Sequence, residues 1–238
     1  MNNIIMKTAA WGACLAGCWT VAAATTPTAQ EAAINGVWTL AQPAGGALKT
    51  AEGAAPPLNA DGKTQYEQNK AGLAKKDATV DLSQKCKPIG FPRVLWDGGN
   101  FDMQVQPNIV FQGYTWNRNH RSLPYGPKLP RLQVPRYYGT SAARWDGDTL
   151  VIESGMFSGN TLLDSTGLPH SEDMLLTERY KPLDGGKKLE VSLNVTDDIY
   201  YSKPWTVKLT FNRVPDGRIL EDVCEARAPF FKDLMKGR

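Results

Sequence analysis

Two stretches of strict period-two alternation constrain this chain more than anything else in it. Leu189, Val191, Leu193 and Val195 alternate with Lys188, Glu190, Ser192 and Asn194, and Trp205, Val207, Leu209 and Phe211 alternate with Thr206, Lys208, Thr210 and Asn212. Successive side chains of a strand point to opposite faces, so each stretch has one apolar and one wet face, the signature of a one-side-covered antiparallel sheet. Turn chemistry supplies neighbours for both. Asp146-Gly147 lies between two β-rich runs, Leu183-Asp184-Gly185-Gly186 joins 173–181 to 188–195, and Pro215-Asp216-Gly217 turns the chain into 218–224.

Further strands are expected at 36–40, 101–106 and 108–114, with Pro107 as a bend or edge. A run of hairpin-linked amphipathic strands must cover its apolar face, by closure or by a second layer. Closure also removes the exposed edges, and no strong helix is available as a cover. The expected fold is therefore mainly β, a single antiparallel β-barrel or strongly curved sheet. Two short helices accompany it: one near the N-terminus, over 66–76 behind the Thr64–Glu67 capping box, and one at the C-terminus, over 229–235 with Phe230, Phe231 and Leu234 inward.

The first residues read as a targeting segment. Lys7 precedes an apolar run over 8–17, too short to span a bilayer, and a stretch of Ala and Thr follows. Leu15-Ala16-Gly17-Cys18 has the form of a lipobox, which would remove 1–17 and leave a lipid on Cys18; Ala22-Ala23-Ala24 offers the alternative cut after residue 24. Residues 18–34 are expected as a flexible tether and 35–238 as one β-rich domain. The protein is thus expected to be exported, to the periplasm or as an outer-membrane lipoprotein attached through Cys18.

Processing leaves Cys86 and Cys224, which either pair in an oxidising compartment or stay as two buried thiols. The formal net charge is +3 in 238 residues, and no basic cluster interleaves with aromatics, which argues against a nucleic-acid partner. Residues 121–138 carry Pro124, Pro127, Pro130 and Pro135 together with Tyr125, Tyr137 and Tyr138. Such a segment cannot be a central strand and reads as a lid, a binding loop or a passive connection.

Several pieces in fixed order carry a resemblance: Cys86-Lys87-Pro88-Ile89-Gly90-Phe91-Pro92-Arg93, then 144–151 (RWDGDTLV), Pro169-His170-Ser171-Glu172, Thr177-Glu178-Arg179-Tyr180, Lys203-Pro204-Trp205-Thr206 and Val223-Cys224-Glu225. Together they resemble a widespread family of exported bacterial β-rich proteins whose members carry no assigned activity. The resemblance implies export and a β-rich domain, and nothing catalytic. Gly36-Val37-Trp38 is similar to the Gly-x-Trp opening of lipocalins, which implies a lipocalin-like sheet.

Two histidines limit any imidazole mechanism to His120 and His170. His170 lies beside Ser171-Glu172-Asp173, where a carboxylate would raise its basicity and orient it; an exposed turn histidine is the plain alternative. Glu178 and Tyr180 share one strand face, either as an inward acid–base pair or as part of an outer ion pair. Tyr200 and Asp198, close before Trp205, form a candidate rim, and Trp116, Arg118, His120 and Tyr125 are candidate binding residues. Two histidines with Glu172 or Asp198 would match zinc stoichiometry, but no metal-ligand spacing is present, so no metal is expected. No Gly-x-Ser-x-Gly elbow or Gly-rich phosphate loop appears either, so no cofactor is expected.

Two functions follow from these residues. One is a cofactor-independent lyase, isomerase or hydrolase acting on a small hydrophobic or aromatic molecule, with His170, Glu172, Glu178, Tyr180 and Tyr200 as its acid–base groups. The other is a non-catalytic small-molecule carrier or surface lipoprotein that needs no titratable centre.

Overall fold

The structure, a computed structural model, describes residues 28–130 and 134–224. The cleavage sites around Cys18 and Ala24 and the expected C-terminal helix lie outside the described residues. The strands are β1 (Gly36–Leu40), β2 (Phe101–Val105), β3 (Ile109–Tyr114), β4 (His120–Pro124), β5 (Thr140–Asp146), β6 (Thr149–Gly155), β7 (Leu175–Leu183), β8 (Lys188–Thr196) and β9 (Trp205–Val214). They form one sheet in the order β4-β3-β2-β1-β9-β8-β7-β6-β5, with every ladder antiparallel.

This order carries a parity constraint. Strand direction alternates outward from β1 on one side to β4 and on the other through β9 to β5, so β4 and β5 run the same way. Nine strands cannot alternate all the way round a ring, because an odd cycle leaves one like-directed pair. A hairpin cannot join such a pair; the chain must return along the strand length before starting the next one. Residues 125–130 and 134–139 lie on that return, and Pro127, Pro130 and Pro135 suit a segment that owes few ladder hydrogen bonds. Between the two edges, among the described residues, stands one parallel bridge, Tyr125 with Ala143, where the Gly126 N–H donates to the Ala143 carbonyl at 3.2 Å. The sheet brings its two edges together at this bridge but does not close into a barrel, the first of the two expected forms.

The alternating residues turn inward as expected. Leu189, Val191, Leu193 and Val195 of β8 and Trp205, Val207, Leu209 and Phe211 of β9 are all buried. They share one hydrophobic core with residues of β2 and β3, and Phe101 of β2 meets Phe211 edge-on with ring centroids 5.1 Å apart. Filled by these side chains, the concave face leaves the larger cleft at its seam rather than in its middle, contrary to the enclosed pocket expected of a barrel.

The helices depart further from expectation. Residues 29–34, expected as tether, form α1 (Ala29–Ile34), with a full capping box between Thr28 and Glu31 and a buried Ile34. The expected helix over 66–76 starts earlier, as α2 (Ala60–Ala74), capped by Asn59, whose side chain accepts from the Gly62 N–H at 2.9 Å. A side chain at Gly62 would run into the Tyr200 carbonyl, so this glycine lets α2 dock without an apolar stripe. A third short helix, α3 (Arg93–Asp97), buries Val94 and Leu95 and was not foreseen. Residues 218–224, expected to follow the Pro215 turn as a strand, contain none. Cys86 and Cys224 form a disulfide across 138 residues of sequence, tying this segment to the turn before Pro88.

Candidate functional site

β4 begins at His120 and pairs with β3, so Arg121 faces inward opposite Gln112. Its guanidinium crosses the seam to Glu178 of β7, with Nη2 at 2.8 Å from Oε2 and Nη1 at 3.0 Å from Oε1. Nε and Nη2 also donate to Gln112 Oε1, at 3.0 and 2.8 Å. Tyr180 Oη donates to Glu178 Oε2 at 2.7 Å, and Ser154 Oγ to Glu178 Oε1 at 3.0 Å. Ser141 Oγ lies 2.8 Å from Ser154 Oγ, and the Phe91 ring covers the guanidinium at 3.7 Å. Two buried charges cost heavily in desolvation, and here both Glu178 oxygens and the guanidinium are engaged, while the Gln112 amide nitrogen is left buried without a partner among the described residues.

Glu178 and Tyr180 thus meet inside the sheet, yet the arrangement does not suit acid–base chemistry. Glu178 is 0% exposed and its two oxygens accept from Arg121, Tyr180 and Ser154. Burial, reinforced by the Glu178 charge, pushes the Tyr180 hydroxyl well above the ordinary phenol range, with Arg121 opposing. For Arg121, burial would lower its pKa, but the charge of Glu178 and the nearby tyrosines hold it higher still. The guanidinium stays charged, the phenol stays neutral, and neither exchanges protons near neutrality.

His170 belongs to a separate cluster. Its Nδ1 lies 3.0 Å from the Ser171 carbonyl and its Nε2 lies 2.7 Å from Thr161 Oγ1. A carbonyl only accepts, so Nδ1 carries the proton and Thr161 donates to Nε2. The ring is 2% exposed, and burial lowers its pKa against the opposing Ser171 carbonyl and Asp197 charge. This corrects the expected rise in basicity: desolvation outweighs the nearby carboxylate. That carboxylate is Asp197, which accepts from the Ser171 N–H at 2.6 Å and Ser171 Oγ at 2.9 Å, while Glu172 points into solvent. Tyr200 is half-buried beside the smaller depression that His170 lines, about 260 Å³ in volume, and Asp198 is exposed. Trp205 packs against Tyr201, ring centroids 5.3 Å apart and tilted by 41°, in the core rather than on a rim. Four of the five catalytic candidates are therefore split between two sites, His170 and Tyr200 at one and Glu178 and Tyr180 at the other, and Glu172 belongs to neither.

The larger cleft, about 870 Å³, opens where the sheet fails to close. β4, the return segment and the start of β5 line it, and its walls include Pro124, Pro135, Tyr137 and Tyr138. Arg121 and Ser141 join these walls, so the cleft rests directly on the buried network. Arg118 and His120, two of the expected binding residues, also line it, whereas Trp116, Tyr125, Asp198 and Trp205 do not. His120 is exposed and stacked on Phe111 at 5.5 Å. The sequence marks Tyr138 only as one of the aromatics of the proline-studded segment, and it does not single out Arg136 in the same segment. Their signal was that segment; what it lacked was the partner strand. Among the described residues no group of three or more His, Cys, Asp or Glu side chains is arranged to hold a metal ion.

Comparison with models of protein families and with curated proteins finds no match to this chain.

Proposed function

We propose that the protein is an exported, non-catalytic carrier that holds a small molecule with an apolar or aromatic body in the seam cleft of a lipocalin-like curved sheet. The observation that carries this reading is the cleft itself: about 870 Å³ suits a small organic ligand, and its proline and tyrosine walls suit a flat apolar body. A catalytic role has less support, because His170 has both nitrogens engaged and Glu178 has its carboxylate locked by Arg121. A general base must reach the proton it removes. The Cys86–Cys224 disulfide supports export, since such bonds persist in oxidising compartments. Among the described residues no helix is long and apolar enough to cross a membrane; the Leu15–Cys18 lipobox pattern is what supports attachment through a lipid at Cys18.

Ser122 is exposed on β4 and lines the cleft, so Ser122→Trp fills the space without touching the buried network. Mass spectrometry of the protein isolated from the periplasmic fraction should find a co-purified small molecule in the unaltered protein and none in Ser122→Trp. His170→Gln should retain it. Equal ligand in the unaltered and Ser122→Trp proteins would remove the seam as the binding site.

A further inference from the structure

We infer that the seam cleft selects an acidic ligand, an organic carboxylate whose charged end pairs with Arg136 while its apolar body lies between the prolines and tyrosines. This rests on the carrier reading and adds the charge of what is carried. The sign of the cleft is the first observation. Arg118, Arg121 and Arg136 line it, and among the described residues no Asp or Glu does. The whole chain carries a formal charge of only +3, so a wall bearing three arginines and no acid is a local feature rather than a general excess.

The three arginines are not equivalent. Arg121 is neutralised by Glu178 beneath the floor, so it contributes little net charge to the cleft. Arg118 reaches Glu221 at 3.2 Å, an exposed pair of the kind that is held weakly. Arg136 has no ion-pair partner among the described residues, and its backbone is fixed. Its N–H donates to the Met156 carbonyl at 3.0 Å, and its carbonyl accepts from Ser158 at 2.8 Å and Gly139 at 3.1 Å. These contacts fix where the exposed side chain starts, and its planar guanidinium fork matches the two oxygens of a carboxylate.

Tyr138 adds a second element. Its hydroxyl is buried on the cleft wall without a hydrogen-bond partner, and burial pushes it well above the ordinary phenol range, so it remains a donor. An unpaired buried donor is costly, so a small shift of this wall that lets a ligand oxygen reach the hydroxyl gains the missing acceptor.

The test uses three probes with one body: 2-naphthoate, 2-naphthamide and 2-naphthylmethylammonium, titrated calorimetrically into the full processed protein at low and high salt. Naphthoate should bind about tenfold more tightly than the amide, and the ammonium more weakly than either. Arg136→Ala should weaken naphthoate binding about tenfold and leave the amide unchanged, and Arg136→Lys, which keeps the charge but loses the planar fork, should fall between the unaltered protein and Arg136→Ala. Added salt should narrow the gap between naphthoate and amide. An amide that binds as tightly as naphthoate, or an Arg136→Ala variant that weakens both equally, overturns the charge selection and leaves the carrier reading standing. If none of the three binds, the carrier reading falls and the charge selection with it.

Discussion

His170 shows how a residue that invites a catalytic reading acquires a structural task. Its imidazole is clamped between the Ser171 carbonyl and Thr161, and burial depresses its pKa below the ordinary 6.5. With a depressed folded-state pKa, the folded protein binds fewer protons here than the unfolded chain once the pH drops below 6.5. Stability from this residue is then complete above pH 6.5 and is lost as the pH falls through the folded value. Urea melts between pH 7 and pH 5.5 should show stability declining toward acid, and His170→Gln should flatten that decline. An unchanged slope in the variant would mean that the imidazole does not stay neutral in the fold. The PHSE tetrapeptide that stood out in the sequence is, in the structure, a knot: His170 to Thr161, Ser171 to Asp197, and the Pro169 carbonyl accepting from Tyr201 Oη at 2.8 Å.

At the scale of elements, the seam is held by charge where the ladder is missing. Among the described residues one bridge, Tyr125 with Ala143, joins the two edges, but Arg121 of β4 reaches over to Glu178 of β7, and Ser141 of β5 joins through Ser154. Replacing Glu178 by Leu leaves a buried guanidinium without its counter-charge, which costs about 3–5 kcal/mol. Thermal denaturation should show that loss, and the double variant Arg121→Met/Glu178→Leu should recover much of it, since an apolar pair of similar volume removes the unpaired charge. A double variant no more stable than Glu178→Leu alone would show that the pair does more than neutralise itself. Proline placement follows the same logic of unpaired edges: Pro124 ends the edge strand β4, and Pro182 lies on the part of β7 that extends past its pairing with β6.

For the molecule as a whole, the question is whether ligand space lies inside the curved sheet or at its seam. Leu209 sits on β9, in the middle of the strand order and away from both edges, and is buried in the core. Leu209→Ala should destabilise the fold by about 2–5 kcal/mol through the cavity it leaves. It should not alter probe affinity, because the seam cleft does not include it. A variant that loses folding stability and probe binding in parallel, under conditions where it remains folded, would move the site into the interior. Much of this architecture was readable beforehand: the alternation in β8 and β9, the hairpin turns at Gly147 and Gly185, and the strand at Gly36–Leu40 all stand where the residues put them. The candidate site was less legible. The marked proline-rich segment does line the cleft, but Arg121 needed Glu178, 57 positions away, to be read as buried rather than as a loop cation.

That division has a physical origin. Period-two patterning and turn residues are local, acting within a few positions, and by themselves they determined that this chain makes an antiparallel, one-side-buried sheet and where its best strands lie. Whether nine strands close, which pair is left like-directed, and where charge and space collect depend on the count and direction of strands around the whole sheet. Those relations join residues far apart in the chain, and only the tertiary structure decided them.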